Sequence, residues 1–92
     1  MFARVATFNS FDPSTLDPEA VERLRSTIKG TPGFVAGFHL RNPETGKALS
    51  FTVYESRDSL EKAGRALGQS RVDARVGIDP DEVNYYSEVI EF

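Results

Sequence analysis

The chain has a single histidine, His39, and the unperturbed pKa of this side chain lies near neutrality. Such a group can take a proton from a substrate and return it at neutral pH, so His39 is our candidate catalytic proton shuttle. The alternative is a strand histidine that is hydrogen-bonded in a dimer interface or lies near solvent. A lone histidine without a partner in the sequence does not decide between the two interpretations.

Three further polar side chains and one aromatic ring are candidates for holding a substrate. Asn9 follows the first predicted strand, and its amide could hold a carbonyl or enolate oxygen as a second catalytic group. The alternative is a loop asparagine that bonds its own backbone. Tyr54 and Tyr86 could donate phenolic hydrogen bonds into a pocket. The alternative is that their rings only pack against the protein while the hydroxyl groups contact water, as is usual for tyrosines on strands. Phe38 completes the predicted substrate-binding set.

The composition disfavours metal sites and nucleic-acid binding. With no Cys and one His, a metal site would need carboxylates, and Asp79, Asp81 and Glu82 lack the fuller ligand spacing of a calcium loop. The net charge of -3 is opposite in sign to the basic surface that phosphate binding normally needs. We therefore expect no metal and no nucleic-acid partner.

Arg65, Arg71 and Arg75 form a loose basic group around the second predicted helix. They could receive an anionic substrate. Charges of both signs lie nearby in the sequence, however, so a solvated surface is the interpretation that we favour.

The length of 92 residues predicts a single domain over 1–92 with one core. Its first residues contain no long apolar run, so we expect neither a signal peptide nor a membrane span. The absence of Cys fits a reducing compartment. We expect a cytoplasmic protein.

The periods of the apolar residues predict four strands and two helices. The strands are expected over residues 2–8, 34–41, 48–54 and 83–92, with one helix after the first strand and one after the third. The order strand, helix, strand, strand, helix, strand is that of a ferredoxin-like α+β fold. In this β-α-β-β-α-β arrangement two helices cover one face of an antiparallel sheet.

Both helices have recognisable ends. Asp17 is the predicted N-cap of the first helix, and Gly30 is expected to end it as a left-handed cap. Ser56 is the predicted N-cap of the second helix, because its hydroxyl can accept from free amides of the first turn. Gly68 is expected to stop or interrupt that helix, with a short further helix over 70–76.

The helices are expected to cover the more apolar side of the sheet, which comprises Phe34, Phe38, Leu40, Leu49, Phe51 and Val53. The opposite side is expected to carry Val35, His39, Arg41, Thr52 and Tyr54. Arg4 interrupts the first strand and indicates a partly exposed edge or end. The opposite side is more apolar than a typical solvent-exposed face of a sheet, and exposed apolar patches often mark sites of protein–protein association. We therefore predict a homodimer with its sheets packed face to face.

Two stretches of the sequence are similar to a known group of proteins. Residues 31–38 contain a Pro-Gly turn that enters a strand, and residues 53–61 contain an aromatic-Glu-Ser-Arg-acidic run that opens a helix. Together they resemble the antibiotic-biosynthesis-monooxygenase-like (ABM) family of dimeric α/β barrels. The resemblance implies a ferredoxin-like protomer, a homodimer whose sheets form a barrel, and a small pocket between sheet and helices.

The resemblance also implies an activity. It indicates a cofactor-independent monooxygenase or isomerase that acts on a small aromatic or quinone-like compound, and hence no cofactor. Haem degradation is disfavoured, because haem-degrading relatives depend on a Trp and a helical His, while this chain has no Trp and carries His39 on a strand. Tyr54 stands where many members have Trp. The alternative is a non-catalytic homodimer that binds a small ligand or has a structural or regulatory role.

Overall fold

The computed structural model of the protein describes residues 1–10, 17–74 and 80–92, with only the backbone of 67–74. The predictions about Arg75 and Asp79 therefore lie outside the described residues, and so does the side chain of Arg71.

The described elements follow the predicted order, namely β1 (Phe2–Phe8), α1 (Pro18–Lys29), β2 (Phe34–Asn42), β3 (Lys47–Tyr54), α2 (Arg57–Ala74) and β4 (Glu82–Tyr86). The four strands form an antiparallel sheet in the order β2-β3-β1-β4. This is the ferredoxin-like α+β fold, so the predicted fold class is confirmed.

Helix α1 begins as the sequence predicts but ends differently. The Asp17 carboxylate accepts a hydrogen bond from the Glu19 N–H at 3.0 Å, which satisfies a free amide of the first turn. Gly30 caps the other end with a right-handed φ of -81°, so the predicted left-handed cap is wrong. Its N–H donates to the Ser26 carbonyl at 3.0 Å and the Thr31 N–H donates to the Ile28 carbonyl at 3.2 Å, so a tightened last turn closes the helix.

Helix α2 is longer than predicted. Ser56 caps its start, where the hydroxyl oxygen accepts from the Ser59 N–H at 3.1 Å. The backbone then stays helical through Gly68 to Ala74, so the predicted stop at Gly68 is wrong. Residues 70–74 continue this helix instead of starting another. A glycine inside a helix costs only about 1 kcal/mol relative to alanine, which does not by itself end a helix that packs against a sheet.

A β-bulge at Val35 determines which side of the sheet each residue of β2 faces. Phe34 pairs with Tyr54, but Ala36, two residues further on, pairs with the adjacent Val53. Val35 is therefore an extra residue, and the alternation restarts after it. Phe34 faces the helices together with Tyr54, whereas Ala36 and every second residue after it face the opposite side.

The side of the sheet under the helices, called here the helix face, has a small aromatic core. Tyr54 is only 4% exposed and packs with Leu60 and Ala63 of α2, and Phe2 and Phe34 complete the cluster. The Phe34 and Tyr54 rings meet edge to face with their centroids 5.8 Å apart. These contacts fix α2 on the sheet.

The opposite side, called here the open face, carries the apolar residues that we expected beneath the helices. It comprises Ala3, Val5, Thr7, Ala36, Phe38, Leu40, Leu49, Phe51, Val53, Asn84 and Tyr86. Apart from Phe34, the predicted sides of the sheet are therefore exchanged. The prediction assumed that the most apolar side is covered within one subunit, whereas Phe38 stays 56% exposed in the described subunit.

Strand β4 ends at Tyr86 instead of continuing to Phe92 as predicted. Tyr86 pairs with Ala3, near the start of β1, so the partner strand β1 extends hardly beyond this pair. A segment that continues past its neighbour has no inter-strand hydrogen bonds to form. The residues after Tyr86 are accordingly not part of the sheet, and Ile90 is exposed.

The Pro-Gly turn before β2 is in direct contact with the start of α2. Gly33 has a φ of +85°, in the left-handed region that favours glycine, and its carbonyl accepts from the Glu55 N–H at 2.8 Å. A Cβ at Gly33 would lie 2.7 Å from Ser59 Cβ. The two stretches that resemble the ABM family therefore form one structural unit.

Gly33→Ala is expected to lower the free energy of unfolding by about 1–3 kcal/mol, because alanine would have to adopt a positive φ and displace Ser59. The control is Gly64→Ala within α2, where an added Cβ meets no atom within 4 Å. This control should raise the free energy of unfolding by about 0.5–1 kcal/mol. Urea unfolding followed by circular dichroism measures both. Wild-type stability of Gly33→Ala would contradict the close packing of the turn on α2.

Candidate functional site

A pocket of about 300 Å³ lies between the helix face and the two helices. Its walls are mainly apolar and include Ala6, Phe8, Val21, Leu24, Ile28, Phe34, Tyr54, Leu60 and Ala63. The size is at the lower end of the range for small-molecule sites, and it suits a compound of one or two rings.

Polar side chains project into this pocket from the sheet. Ser50 pairs with Ala6 on one side and with His39 on the other, and Thr52 pairs with Arg4. Opposed residues of an antiparallel pair share one face of the sheet, and all five residues line the pocket. The site therefore combines apolar walls with hydroxyl, imidazole and guanidinium groups.

His39 lies on β2 beside Phe8, with the ring centroids 6.5 Å apart in an edge-on arrangement. Partial burial lowers the pKa of His39 below its usual value of 6.5, and the positive charges of Arg41 and Arg25 lower it further. The lowered pKa favours the neutral imidazole at pH 7, in which one ring nitrogen can accept a proton. This is the protonation state that a general base requires.

The pKa of His39 is expected to lie below 6.5 and to rise in Arg25→Gln, because the variant removes one of the positive charges that act on the imidazole. Arg41 remains beside the ring on β2, and Arg4 and Lys29 also line the pocket. Since the chain has one histidine, a single imidazole signal in an NMR titration reports the value. A pKa at or above 6.5 in the wild type would contradict this electrostatic environment.

The same shift couples the free energy of unfolding to pH. The pKa of His39 is lower in the folded than in the unfolded state, so the unfolded chain binds the proton more readily. This contribution to stability is therefore complete above the unfolded pKa of about 6.5 and is lost as the pH falls toward the folded pKa. His39→Gln should remove this part of the pH dependence.

The structure brings two of the predicted site residues together in the pocket, His39 and Tyr54. Phe38 lies at the pocket boundary, but its ring stacks on Phe51 of the open face with centroids 5.0 Å apart. Tyr86 lies on the open face and borders a separate groove beside α2. Their contacts with a substrate stay predictions.

Asn9 is exposed directly after β1, and it is not among the described residues that line the pocket. Its backbone N–H donates to the Asp81 carboxylate oxygen Oδ2 at 2.6 Å, which ties the end of β1 to the segment that enters β4. Phe8 and Pro80, their neighbours in the chain, do line the pocket. The subunit does not bring Asn9 and His39 into one cavity, and the catalytic role of Asn9 stays a prediction.

The positive charges of the pocket were not predicted from the sequence as part of a site. Arg4 lines the pocket from β1, which lies between β3 and β4, so the predicted edge position is wrong. Arg25, Lys29 and Arg41 also line the pocket. Arg25 and Lys29 follow Val21 at intervals of four residues, so the three share one side of α1. That spacing was the only signal in the sequence that could have grouped them.

Within the described part of the chain, no group of three or more His, Cys, Asp or Glu side chains is arranged to hold a metal ion. No described helix is long and apolar enough to cross a membrane. Of the basic group predicted around α2, Arg65 borders the groove beside Tyr86 instead of the pocket. The expected absence of a cofactor and the expected cytoplasmic location stay predictions.

No protein-family model and no curated protein matches the chain, but solved structures do. A variant of SnoaB, a cofactor-independent oxygenase from Streptomyces nogalater, superposes with a TM-score of 0.74 at 15% identity, over 98% of this chain and 94% of that one. A candidate antibiotic biosynthesis monooxygenase from Caulobacter crescentus gives 0.71 at 19% identity, over 97% and 90%. Another from Chloroflexus aurantiacus gives 0.69 at 13% identity, over 99% and 95%.

The predicted resemblance to ABM-like proteins is therefore confirmed in the fold. The matches cover nearly the whole of both chains, so the ferredoxin-like protomer is common to them. At these identities the likeness establishes the fold, and the activity has to be argued from the pocket.

Proposed function

We propose that the protein is a cofactor-independent monooxygenase or isomerase that acts on a small aromatic or quinone-like compound bound in the helix-face pocket. The observation that carries the proposal is the position of His39 at the wall of an apolar pocket of about 300 Å³, where its pKa is lowered. The fold that the chain shares with SnoaB, described as a cofactor-independent oxygenase, supports the same reaction class.

In the proposed oxygenation, a neutral ring nitrogen of His39 takes a proton from an acidic ring C–H next to a carbonyl group. The resulting carbanion, delocalised as an enolate, gives electrons to dioxygen and forms a carbon–oxygen bond. Protonation gives a hydroperoxide, and loss of water leaves a ring carbonyl. One CH₂ group and one O₂ thus yield C=O and H₂O, with four electrons passing from carbon to dioxygen. An isomerase would return the proton at another carbon.

The side chains beside His39 suit the charge that develops in this step. Ser50 and Thr52 present hydroxyl groups and Arg4 presents a guanidinium group on the same side of the pocket. Donors held in a partly dry site stabilise a developing enolate oxygen more strongly than water does. Tyr54 forms part of the wall and is proposed to contact the substrate, while Asn9 is proposed as a second oxygen-binding group.

We further propose that the protein is a homodimer in which the open faces of two subunits pack together. The residues of the open face named above include no charged side chain, and the pairs at its end, Thr7 with Glu82 and Asn42 with Lys47, place charge only at the margin. An uncharged apolar sheet face is self-complementary, so a second copy related by a twofold axis can cover it. This arrangement would bury Phe38 and Tyr86 between subunits.

One observation favours the alternative of a non-catalytic small-ligand-binding dimer. The two predicted catalytic residues, Asn9 and His39, do not share a cavity in the subunit. If His39 acts alone, the pocket has a base without the predicted amide partner. Ligand binding without turnover is the result that distinguishes this alternative.

Oxygen uptake by the purified protein, screened against hydroquinones, polyphenols and one- or two-ring ketones with an acidic CH₂ group, tests the proposed activity. We expect uptake with one molecule of O₂ consumed per molecule of ketone oxidised, and no product under nitrogen. An isomerase would change the absorbance of the substrate with no oxygen consumed. If compounds bind in the pocket and neither reaction occurs, the non-catalytic alternative is correct.

A further inference from the structure

The charge of the pocket is opposite in sign to the charge of the protein. The chain has a net charge of -3, with 14 Asp and Glu residues against 11 Lys and Arg residues. Among the described residues that line the pocket, however, are Arg4, Arg25, Lys29 and Arg41, and none is an Asp or Glu. Acidic residues are thus absent from the described lining of this pocket.

These four cations reach the pocket from three separate elements. Arg4 projects from β1 and Arg41 from β2, while Arg25 and Lys29 lie one turn apart on α1. Groups that come from distant parts of the chain and surround one apolar space are unlike the mixed charges of an ordinary solvated surface. The arrangement places positive charge on opposite sides of the same cavity.

Internal ion pairs do not account for the charge of Arg4, Arg25 and Lys29. In the described part of the chain, Arg4 and Lys29 make no ion pair. Arg25 contacts the Glu22 carboxylate at 3.3 Å, but both side chains are more than half exposed, and such a pair is weak. Glu22 itself does not line the pocket. The charge of these three side chains thus remains available to a bound group.

We propose that the ligand of this pocket is an organic anion, a small aromatic body that carries a carboxylate or an ionised enolate. The proposal deepens the proposed function and rests on the same site, since it specifies the charge of the substrate. Guanidinium groups bind carboxylate and enolate oxygens with charge-assisted hydrogen bonds, and the apolar walls would hold the ring.

An anionic ligand would also change the state of His39. The positive charges of Arg41 and Arg25 oppose protonation of the imidazole, and a bound negative charge offsets them. Binding of the anion should therefore raise the pKa of His39 and favour the transfer of a proton to it. A neutral ligand of the same shape supplies no such charge and only displaces water.

The test compares 2-naphthoate with 2-naphthamide, which have the same ring and nearly the same shape but differ by one negative charge. Isothermal titration calorimetry gives the affinities, and the single imidazole signal of His39 gives its pKa in each complex. We expect 2-naphthoate to bind about tenfold or more tightly and to raise the pKa of His39. The difference should shrink at high salt, because added ions screen the exposed part of the charge.

The Arg25→Gln variant removes one positive charge of the pocket and retains a side chain of similar length. It should weaken the binding of 2-naphthoate about five- to twentyfold and leave 2-naphthamide nearly unchanged. Arg23→Gln is the matched control, because Arg23 is exposed on the same helix and does not line the pocket. Loss of affinity in Arg23→Gln equal to that in Arg25→Gln would overturn the assignment, since it would indicate an effect of net charge alone.

Equal affinity for the two compounds would overturn the proposed anion selectivity and leave the proposed oxygenase or isomerase function standing. If the protein binds 2-naphthoate selectively but shows no oxygen uptake and no isomerisation, the anion selectivity stands and the proposed oxygenase or isomerase function is overturned. If neither compound binds and the signal of His39 does not move, the pocket is not a site for small aromatic anions and the inference is wrong.

Discussion

Phe38→Lys is expected to convert a dimer of the protein into a monomer of 10.2 kDa. Phe38 is 56% exposed in the described subunit and stacks on Phe51 near the middle of the open face. In the proposed dimer the lysine charge would be buried without a partner, and twofold symmetry would bury one from each subunit. Each uncompensated charge costs several kcal/mol, so dissociation at micromolar concentration follows.

Sedimentation velocity or light scattering at low micromolar concentration measures the change. The matched control is Tyr85→Lys, because Tyr85 is 62% exposed but pairs with Arg4 on the other side of the sheet. This control should stay dimeric. If the wild-type protein is monomeric at these concentrations, the proposed dimer is wrong. If Phe38→Lys stays dimeric with normal stability, the open face is not the interface.

His39→Gln is expected to lower the turnover rate by about 10²- to 10⁴-fold, the usual contribution of a positioned general base. Glutamine keeps a polar side chain of similar size at the pocket wall, but its amide does not accept the proton at neutral pH. The affinity for the substrate should change little, because the apolar walls and the cations remain in place.

Stopped-flow and steady-state measurements of oxygen uptake separate these two effects. Asn9→Ala, made in parallel, tests the second predicted catalytic residue. A marked loss of turnover in Asn9→Ala would indicate that Asn9 reaches the substrate despite its position outside the pocket. A rate in His39→Gln within about threefold of wild type would exclude proton transfer by His39 as a catalytic step.

The order of elements could be predicted from the sequence because its signals are local. Asp17 and Ser56 each accept a hydrogen bond at the start of a helix, as their positions predict. Gly46 lies in the turn between β2 and β3, and its φ of +74° is in the left-handed region that favours glycine. Local chemistry of this kind determines where elements begin and turn.

The assignment of the sheet faces failed because it placed the most apolar side beneath the helices, and one unpaired residue separates Phe34 from the rest of that side. Phe34, Ala36 and Phe38 alternate regularly in the sequence, and no glycine or proline marks a bulge at Val35. The bulge appears only when β2 pairs with β3, and it moves Phe34 to the helix face while Phe38 stays on the open face. A one-residue shift is enough to exchange the two sides of a strand.

The candidate site was predictable in part. His39 could be named from its type alone, because it is the single histidine of the chain. The cations around it could not be grouped, since Arg4 and Arg41 meet Arg25 only after α1 has packed over the sheet. Asn9 was chosen for its place after a strand, and its backbone bond to Asp81 joins residues 72 positions apart. A local sequence pattern does not predict contacts between residues that are so far apart in the chain.

The pH dependence of oxygen uptake tests most directly the central claim that His39 acts as a base in the helix-face pocket. The account predicts a kcat/KM that rises with pH and levels off, with an apparent pKa below 6.5 that matches the NMR titration of His39 in the free protein. The rise should be absent from the residual activity of His39→Gln. A profile with no such step in the wild type, or with the same step in His39→Gln, would contradict the account.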